Sequence, residues 1–186
     1  GRAFMSYFLQ GFGVFLGVVA GTAVTLFAAW IIRVKEASHR KRNLIFEIGM
    51  NIRKLEQWLE RLNELRNAVN GDALDSFYEY FDFSKILAAT AISMYKSGEL
   101  YKHLSHEEID ELHSFSSYFS SPGEQFIHNQ ISQHKRFFEE SRLKDNLASW
   151  FKTGKPQAVS DIKFWEQKFK GHRDRLSEII ETLEEK

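Results

Sequence analysis

The chain contains no cysteine. Disulfides and thiolate chemistry are therefore excluded, and the absence agrees with a reducing compartment. Proline is nearly as scarce: the two present are Pro122 and Pro156, so nothing bars an uninterrupted helix through all the sequence before Pro122. Neither sign of charge prevails, with 25 basic residues against 25 acidic. That balance points to neither nucleic acid nor a strongly acidic partner. Also missing are alternating runs of strand length, a convincing internal repeat, and the motifs of phosphate loops, dinucleotide folds, nucleophile elbows and HExxH zinc enzymes. The most informative gap is local, because no charged residue occurs between Met5 and Ile32.

That stretch, MSYFLQGFGVFLGVVAGTAVTLFAAWII, is long enough to cross a bilayer, since a spanning helix needs ~20 mostly apolar residues. A soluble helix of this length would carry a polar face, and this one has none. We read residues 5–32 as a transmembrane helix. Within it Gly13, Gly17 and Gly21 recur every four residues, and the ridge continues through Thr25 and Ala29. Residues so spaced lie on one helix face. Lipid is as apolar as leucine, so spans associate by close backbone approach, which small residues permit. The ridge predicts packing against another span. With one span per chain, the partner is a second copy, and a homo-oligomer follows. If that assembly is a ring, Ser6, Gln10, Thr22 and Thr25 are the polar residues available to line its lumen.

Arg33, Lys35, Arg40, Lys41 and Arg42 follow the span against Glu36 alone, whereas Arg2 is the lone charge before it. Positive residues stay on the cytoplasmic side, which predicts an inner-membrane protein with its N-terminus out and its C-terminal domain in the cytoplasm. The basic juxtamembrane segment, residues 33–43, can rest on anionic lipid head groups. Charge placed after an apolar core of this length marks a retained anchor rather than a cleaved signal peptide. The opening Gly-Arg-Ala-Phe, residues 1–4, reads as a cloning remnant with Met5 as the natural start.

Residues 44–186 suffice for one domain with a real core, and their patterns are helical. Ile45, Ile48, Ile52, Leu55, Leu59, Leu62, Arg66 and Val69 fall at alternating three- and four-residue steps, a heptad-like seam closed by Asn70-Gly71-Asp72. This predicts one long helix from the membrane to about Asn70. Its seam either faces its own domain, the arrangement we favour, or zips against sister chains. Leu74 to Phe83 is dense in aromatics, and a short helix or irregular segment should pack Phe77, Tyr78, Tyr80, Phe81 and Phe83 into the bundle. Ser84 is a candidate N-cap for a helix over 85–97. Ser105-His106-Glu107-Glu108 is a capping box opening a helix to about Phe119. Pro122, at the first helical position, opens the next, which carries Phe126, Ile127, Ile131, His134, Phe138, Leu147, Trp150 and Phe151 with an irregularity around Ser141. Thr153-Gly154-Lys155-Pro156 should break it. Ile162, Trp165, Phe169, His172, Leu176, Ile179 and Leu183 then form an unbroken three-four repeat, hence a last helix with one buried stripe. The predicted fold class is all-α: a single N-terminal transmembrane helix continuing into a cytoplasmic bundle of about four or five helices.

Chemistry-bearing clusters are few. His106, Asp110 and His113, at i, i+4 and i+7, set two imidazoles and a carboxylate on one helix face, the one pattern that resembles a metal site; closed structural sites need four ligands, and a solvated face explains the pattern as well. His134 and His172 interrupt apolar stripes, either as titrating switches or as core histidines satisfied by a hydrogen bond. Helical HEPN ribonucleases use an Arg followed by a His four to six residues later. The one such spacing here, Arg33 to His39, sits at the membrane exit, and no catalytic residue is assigned. The Phe77 to Phe83 aromatics lack the basic groove that base stacking requires. No cofactor, no direct nucleic-acid binding and no enzymatic activity are expected.

The order of parts resembles the single-pass membrane accessory proteins encoded beside RNA-targeting type VI-B CRISPR effectors. The likeness lies in the N-terminal span, the helical domain and the total length, whereas the HEPN-like motif associated with that family is not found in this sequence. The resemblance implies a homo-oligomeric, gated membrane pore that aids antiviral defence by perturbing the inner membrane. From the residues themselves, the leading expectation is a self-associating membrane protein. The alternative is a membrane-tethered helical scaffold that recruits a cytoplasmic protein partner, and a HEPN-like ribonuclease ranks below both.

Overall fold

The computed structural model describes residues 2–78 and 80–185, with side chains described from Val18 onward. It is all-α, with no strand among the described residues. Helix α1 spans Arg2–Asn70, α2 Ala89–Lys96, α3 His106–Tyr118 and α4 Ser121–Leu143; α5 is the single turn Leu147–Ser149, and α6 spans Lys155–Glu185. By contacts the chain divides into two units, residues 1–42 and residues 43–186.

Among the first unit's residues whose side chains are described, 18–42, all on α1, none is buried. Val24, Leu26, Phe27, Trp30 and Ile32 are all exposed. Among the described residues one helix, Val18–Asn70, is long and apolar enough to cross a membrane, and none of its most apolar window is buried.

The second unit buries a continuous core. The rest of α1 supplies one wall of it. With Glu47 buried beside it, the inward stripe is Leu44, Ile48, Asn51, Leu55, Trp58, Leu62, Leu65 and Val69, a strict four-three alternation. Four of these, Ile48, Leu55, Leu62 and Val69, belong to the seam read from sequence; the other four lie one residue earlier than expected. Ile45, Ile52 and Leu59 flank the stripe half-buried, and Arg66 turns out to an ion pair with Glu166 on α6. The reason is geometric. The apolar neighbours 44/45 and 58/59 are both compatible with a helical stripe, and the stripe centres on whichever faces the larger mass of packed side chains, which also brings Asn51 inward in place of Ile52.

Trp58 is where α1 enters that mass. Its ring stacks on Phe119 at 5.4 Å and touches Phe83 at 4.7 Å and Phe169 at 6.1 Å. Leu74–Ser76 is one 3-10 turn, followed by an irregular segment, as the aromatic-rich sequence suggests. Its rings divide, however: Phe77, Phe81 and Phe83 are buried, while Tyr78 and Tyr80 are exposed. A phenol needs a polar partner when buried, and the solvent side satisfies it.

Two expected boundaries shift. Ser84 lies inside a second 3-10 turn, Phe83–Lys85, capped by the Asp82 side chain, and α2 starts later, at Ala89. The irregularity near Ser141 is the end of α4, where Asn146 N–H donates to the Ser141 carbonyl at 2.8 Å and Asp145 takes φ 52°. Thr153-Gly154-Lys155-Pro156 does not break the chain. A π-helical turn, Trp150–Gly154, runs directly into α6, with the Lys155 N–H bonded to the Trp150 carbonyl across the junction and Pro156 as the second residue of α6. Gly154 is required there, because a Cβ would stand 2.3 Å from Trp150 Cε3 and 2.6 Å from Phe137 Cδ1. The stripe of α6 is as expected: Ile162, Trp165, Phe169, Leu176, Ile179 and Leu183 are all buried.

Candidate functional site: a cleft between α2 and α3

The helix α2 begins at Ala88-Ala89, residues that cannot cap their own N-terminus. The cap comes from α1. Glu47, 6% exposed, accepts the N–H groups of Thr90 and Ala91 at 2.8 and 3.0 Å, placing a carboxylate at the positive end of the helix. One turn on, Asn51 donates to the Leu87 carbonyl at 2.7 Å and accepts the Leu87 N–H at 2.9 Å. This Glu47–Asn51 pair latches residues 87–91 onto α1. Sequence reasoning missed it; the signal was present as two polar residues four apart on an apolar-striped helix.

Helix α3 is set by the capping box read from sequence. Glu108 N–H donates to Ser105 Oγ at 3.2 Å, and Ser105 N–H donates to Glu108 Oε2 at 2.7 Å. Two contacts tie α3 to α6: Thr182 Oγ1 donates to Glu108 Oε1 at 2.6 Å, and His172 Nδ1 meets Glu111 Oε1 at 2.7 Å. His172 also packs against the rings of Phe115, Tyr118 and Phe119. Burial pushes the Tyr118 phenol above its ordinary range.

Held apart by these anchors, α2 and α3 enclose a cavity of about 530 Å³. Ala91, Ile92 and Tyr95 line it from α2, the buried Leu100, Ile109 and Leu112 form the apolar floor, and Asp110, His113, Ser116 and Ser117 supply the polar wall on α3. Tyr101 lies beside Tyr95, ring centroids 6.0 Å apart, and His106 meets Tyr101 edge-on at 5.5 Å. The Tyr101 phenol is raised above the ordinary tyrosine range, first by its hydrogen bonding with Tyr95, then by desolvation and by the charges of Tyr95 and Asp110.

The sequence-predicted residues distribute as follows. Of the metal candidates, Asp110 and His113 share the cleft wall, while His106 turns to Tyr101; no group of three potential ligands among the described residues could hold a metal ion. His134 and His172 do not meet. His134 Nε2 contacts Asp161 Oδ2 at 2.8 Å, and His172 engages Glu111, with Asp161 and His172 about 16 Å apart along α6. Each is a half-buried histidine satisfied by a carboxylate across a helix pair. Gly13, Gly17, Ser6 and Gln10 lie outside the residues whose side chains are described. On the rest of the ridge, Gly21 has open space where a Cβ would stand, Thr25 is exposed and Ala29 half-buried. The hydroxyls of Thr22 and Thr25 donate back to the Val18 and Gly21 carbonyls at 2.8 Å, so neither is an unsatisfied polar group in an apolar surround. Arg33, Lys35, Arg40 and Arg42 are exposed and Lys41 half-buried; Arg42 reaches His39 at 3.4 Å.

These features define a class: an all-α chain made of one long apolar helix followed by a helical domain with an apolar-floored cleft. No protein-family model, curated protein or solved structure matches this chain.

Proposed function

We propose that this chain is a self-associating, single-pass membrane protein whose spans pack through the Gly13/Gly17/Gly21 ridge, and whose helical domain, on the cytoplasmic side, governs the assembly. The observation that carries the reading is the run of mostly exposed apolar side chains on α1, Val18 to Ile32, none of them buried. In water such a surface would be an aggregation site, whereas in a bilayer it is matched to its solvent. The basic residues that follow support an orientation with residues 33–186 inside. A ring of spans with a mostly apolar lumen would gate by dewetting. In the setting suggested by the likeness to type VI-B accessory proteins, such a pore would perturb the inner membrane during antiviral defence.

The test is the mass of the nanodisc-extracted protein by light scattering, corrected for lipid. A discrete assembly of several copies is expected for the native chain, and Gly17→Leu, which blocks backbone approach, should reduce it to smaller species. A monomeric native chain, or an assembly indifferent to Gly17→Leu, would remove the basis of the proposal.

A second reading, the tethered scaffold, is favoured by one observation. Tyr78 and Tyr80 stand 79% and 66% exposed on one short segment. Tyrosine is over-represented among the residues that anchor protein interfaces.

A further inference from the structure

The cleft between α2 and α3 has a feature that the membrane reading leaves unused: its lining is chemically one-sided. The floor is aliphatic, while the Asp110 carboxylate, the His113 imidazole and the Tyr95 ring also line the cleft, with Tyr101 beside Tyr95. Asp110 lines the cavity, is exposed, and makes no hydrogen bond or ion pair among the described residues. Two other acids of α3 are committed elsewhere, Glu108 to the Ser105 cap and Thr182, and Glu111 to His172, and Glu107 does not line the cavity. Tyr95 lines the same cavity, and Tyr101 lies against Tyr95 and senses the charge of Asp110. Residues 89–118 carry five acids against two lysines, so the local field favours a cation.

We propose that this cleft binds a small organic cation, an ammonium group on an apolar body, with the ammonium at Asp110 and the Tyr95–Tyr101 rings and the body on Leu100, Ile109 and Leu112. Each part of the ligand meets its own chemistry. Aromatic faces attract a cation through the ring quadrupole, most effectively when the ion is weakly hydrated and loses little on leaving water. The carboxylate adds a full opposite charge. The floor takes the apolar body, and a cavity of about 530 Å³ lies inside the usual range for small-molecule sites. Other ligand classes fit less well. A bare metal ion needs several oxygen or nitrogen donors, and one carboxylate with one imidazole does not cage it. An anion would be repelled by Asp110. A neutral apolar molecule would leave Asp110 without a role. The site lies wholly within residues 43–186 and does not depend on the span assembling.

Saturation-transfer NMR on the full chain in zwitterionic nanodiscs tests this, with benzyltrimethylammonium as probe, benzylsulfonate as the anionic control and empty nanodiscs as background. Saturable transfer to benzyltrimethylammonium and little to benzylsulfonate is expected. Asp110→Asn, on an exposed residue with no structural bond to lose, should weaken the cation by about fivefold or more while leaving the helical signal and melting curve unchanged. Ser116→Phe, which fills the cleft from its polar wall, should abolish the transfer. No saturable signal from the cation, equal signals from cation and anion, or an unchanged affinity in Asp110→Asn would each overturn the proposal.

Discussion

Two side chains hold residues 87–91 on the first helix, and Asn51 is the one that meets Leu87. Asn51 offers the Leu87 peptide both a donor and an acceptor, at 2.7 and 2.9 Å, from a position 4% exposed. An aliphatic residue would extend the stripe but strand two backbone groups, and stranded groups cost more than an average hydrogen bond contributes. Asn51→Ala should therefore destabilise the helical domain by roughly 1–3 kcal/mol in denaturant titration. Hydrogen exchange should localise the loss to the amides of residues 87–91. A uniform rise in exchange across the domain would mean that Asn51 serves general packing and not the latch. From sequence, the four-residue spacing of Glu47 and Asn51 is visible, but not the partner it serves. That partner for Asn51, a peptide 36 positions away with both groups unpaired, is a tertiary fact.

At the scale of the element, caps and stripes were the legible features. Ser105 and Glu108 close their box within four residues, so the chemistry is local and the helix start was read correctly. The helix start at Ala89 was not legible, because its cap is Glu47 on another helix. The π-helical turn was hidden for the same kind of reason. Thr153-Gly154-Lys155-Pro156 has the composition of a break, yet the glycine is present because Trp150 and Phe137 occupy the space of its Cβ, and the chain stays helical through it. Gly154→Ala should accordingly be destabilising, by roughly 1–3 kcal/mol from overpacking, although alanine is the better helix former. The thermal melt of the variant reads this directly. A stabilised protein would show that the turn relaxes to ordinary α-helix and that the ring contacts are incidental.

For the whole molecule, the proposed assembly and the tethered scaffold differ in what the span must do. An assembly needs the sequence of the span, and a tether needs its length and apolarity alone. Replacing residues 5–32 by a poly-leucine helix of equal length should therefore keep the protein in the membrane and abolish its discrete oligomer, because leucine side chains prevent close backbone approach. Light scattering of the exchanged protein distinguishes the two, since an oligomer of native size would assign association to residues 43–186. The cation cleft provides an internal control in the same molecule. Its binding of benzyltrimethylammonium should survive the exchange, because every lining residue lies in the helical domain.

What the sequence determined by itself was whatever rests on periodicity and local bonding: an all-α chain, one helix from the N-terminal segment to Asn70, the capping box of α3 and the buried stripe of α6. A repeat of three and four residues admits no other regular structure, and a cap within four residues needs no distant partner. Tertiary structure alone decided which of two adjacent rows of α1 faces inward, that Trp58 joins the rings of Phe83, Phe119 and Phe169, that His134 and His172 each find a different carboxylate, and that Asp110 opens onto a cleft. Each of those outcomes depends on groups tens of residues apart in the chain. Their positions are fixed by how the helices pack against one another, and no spacing along a single helix encodes that.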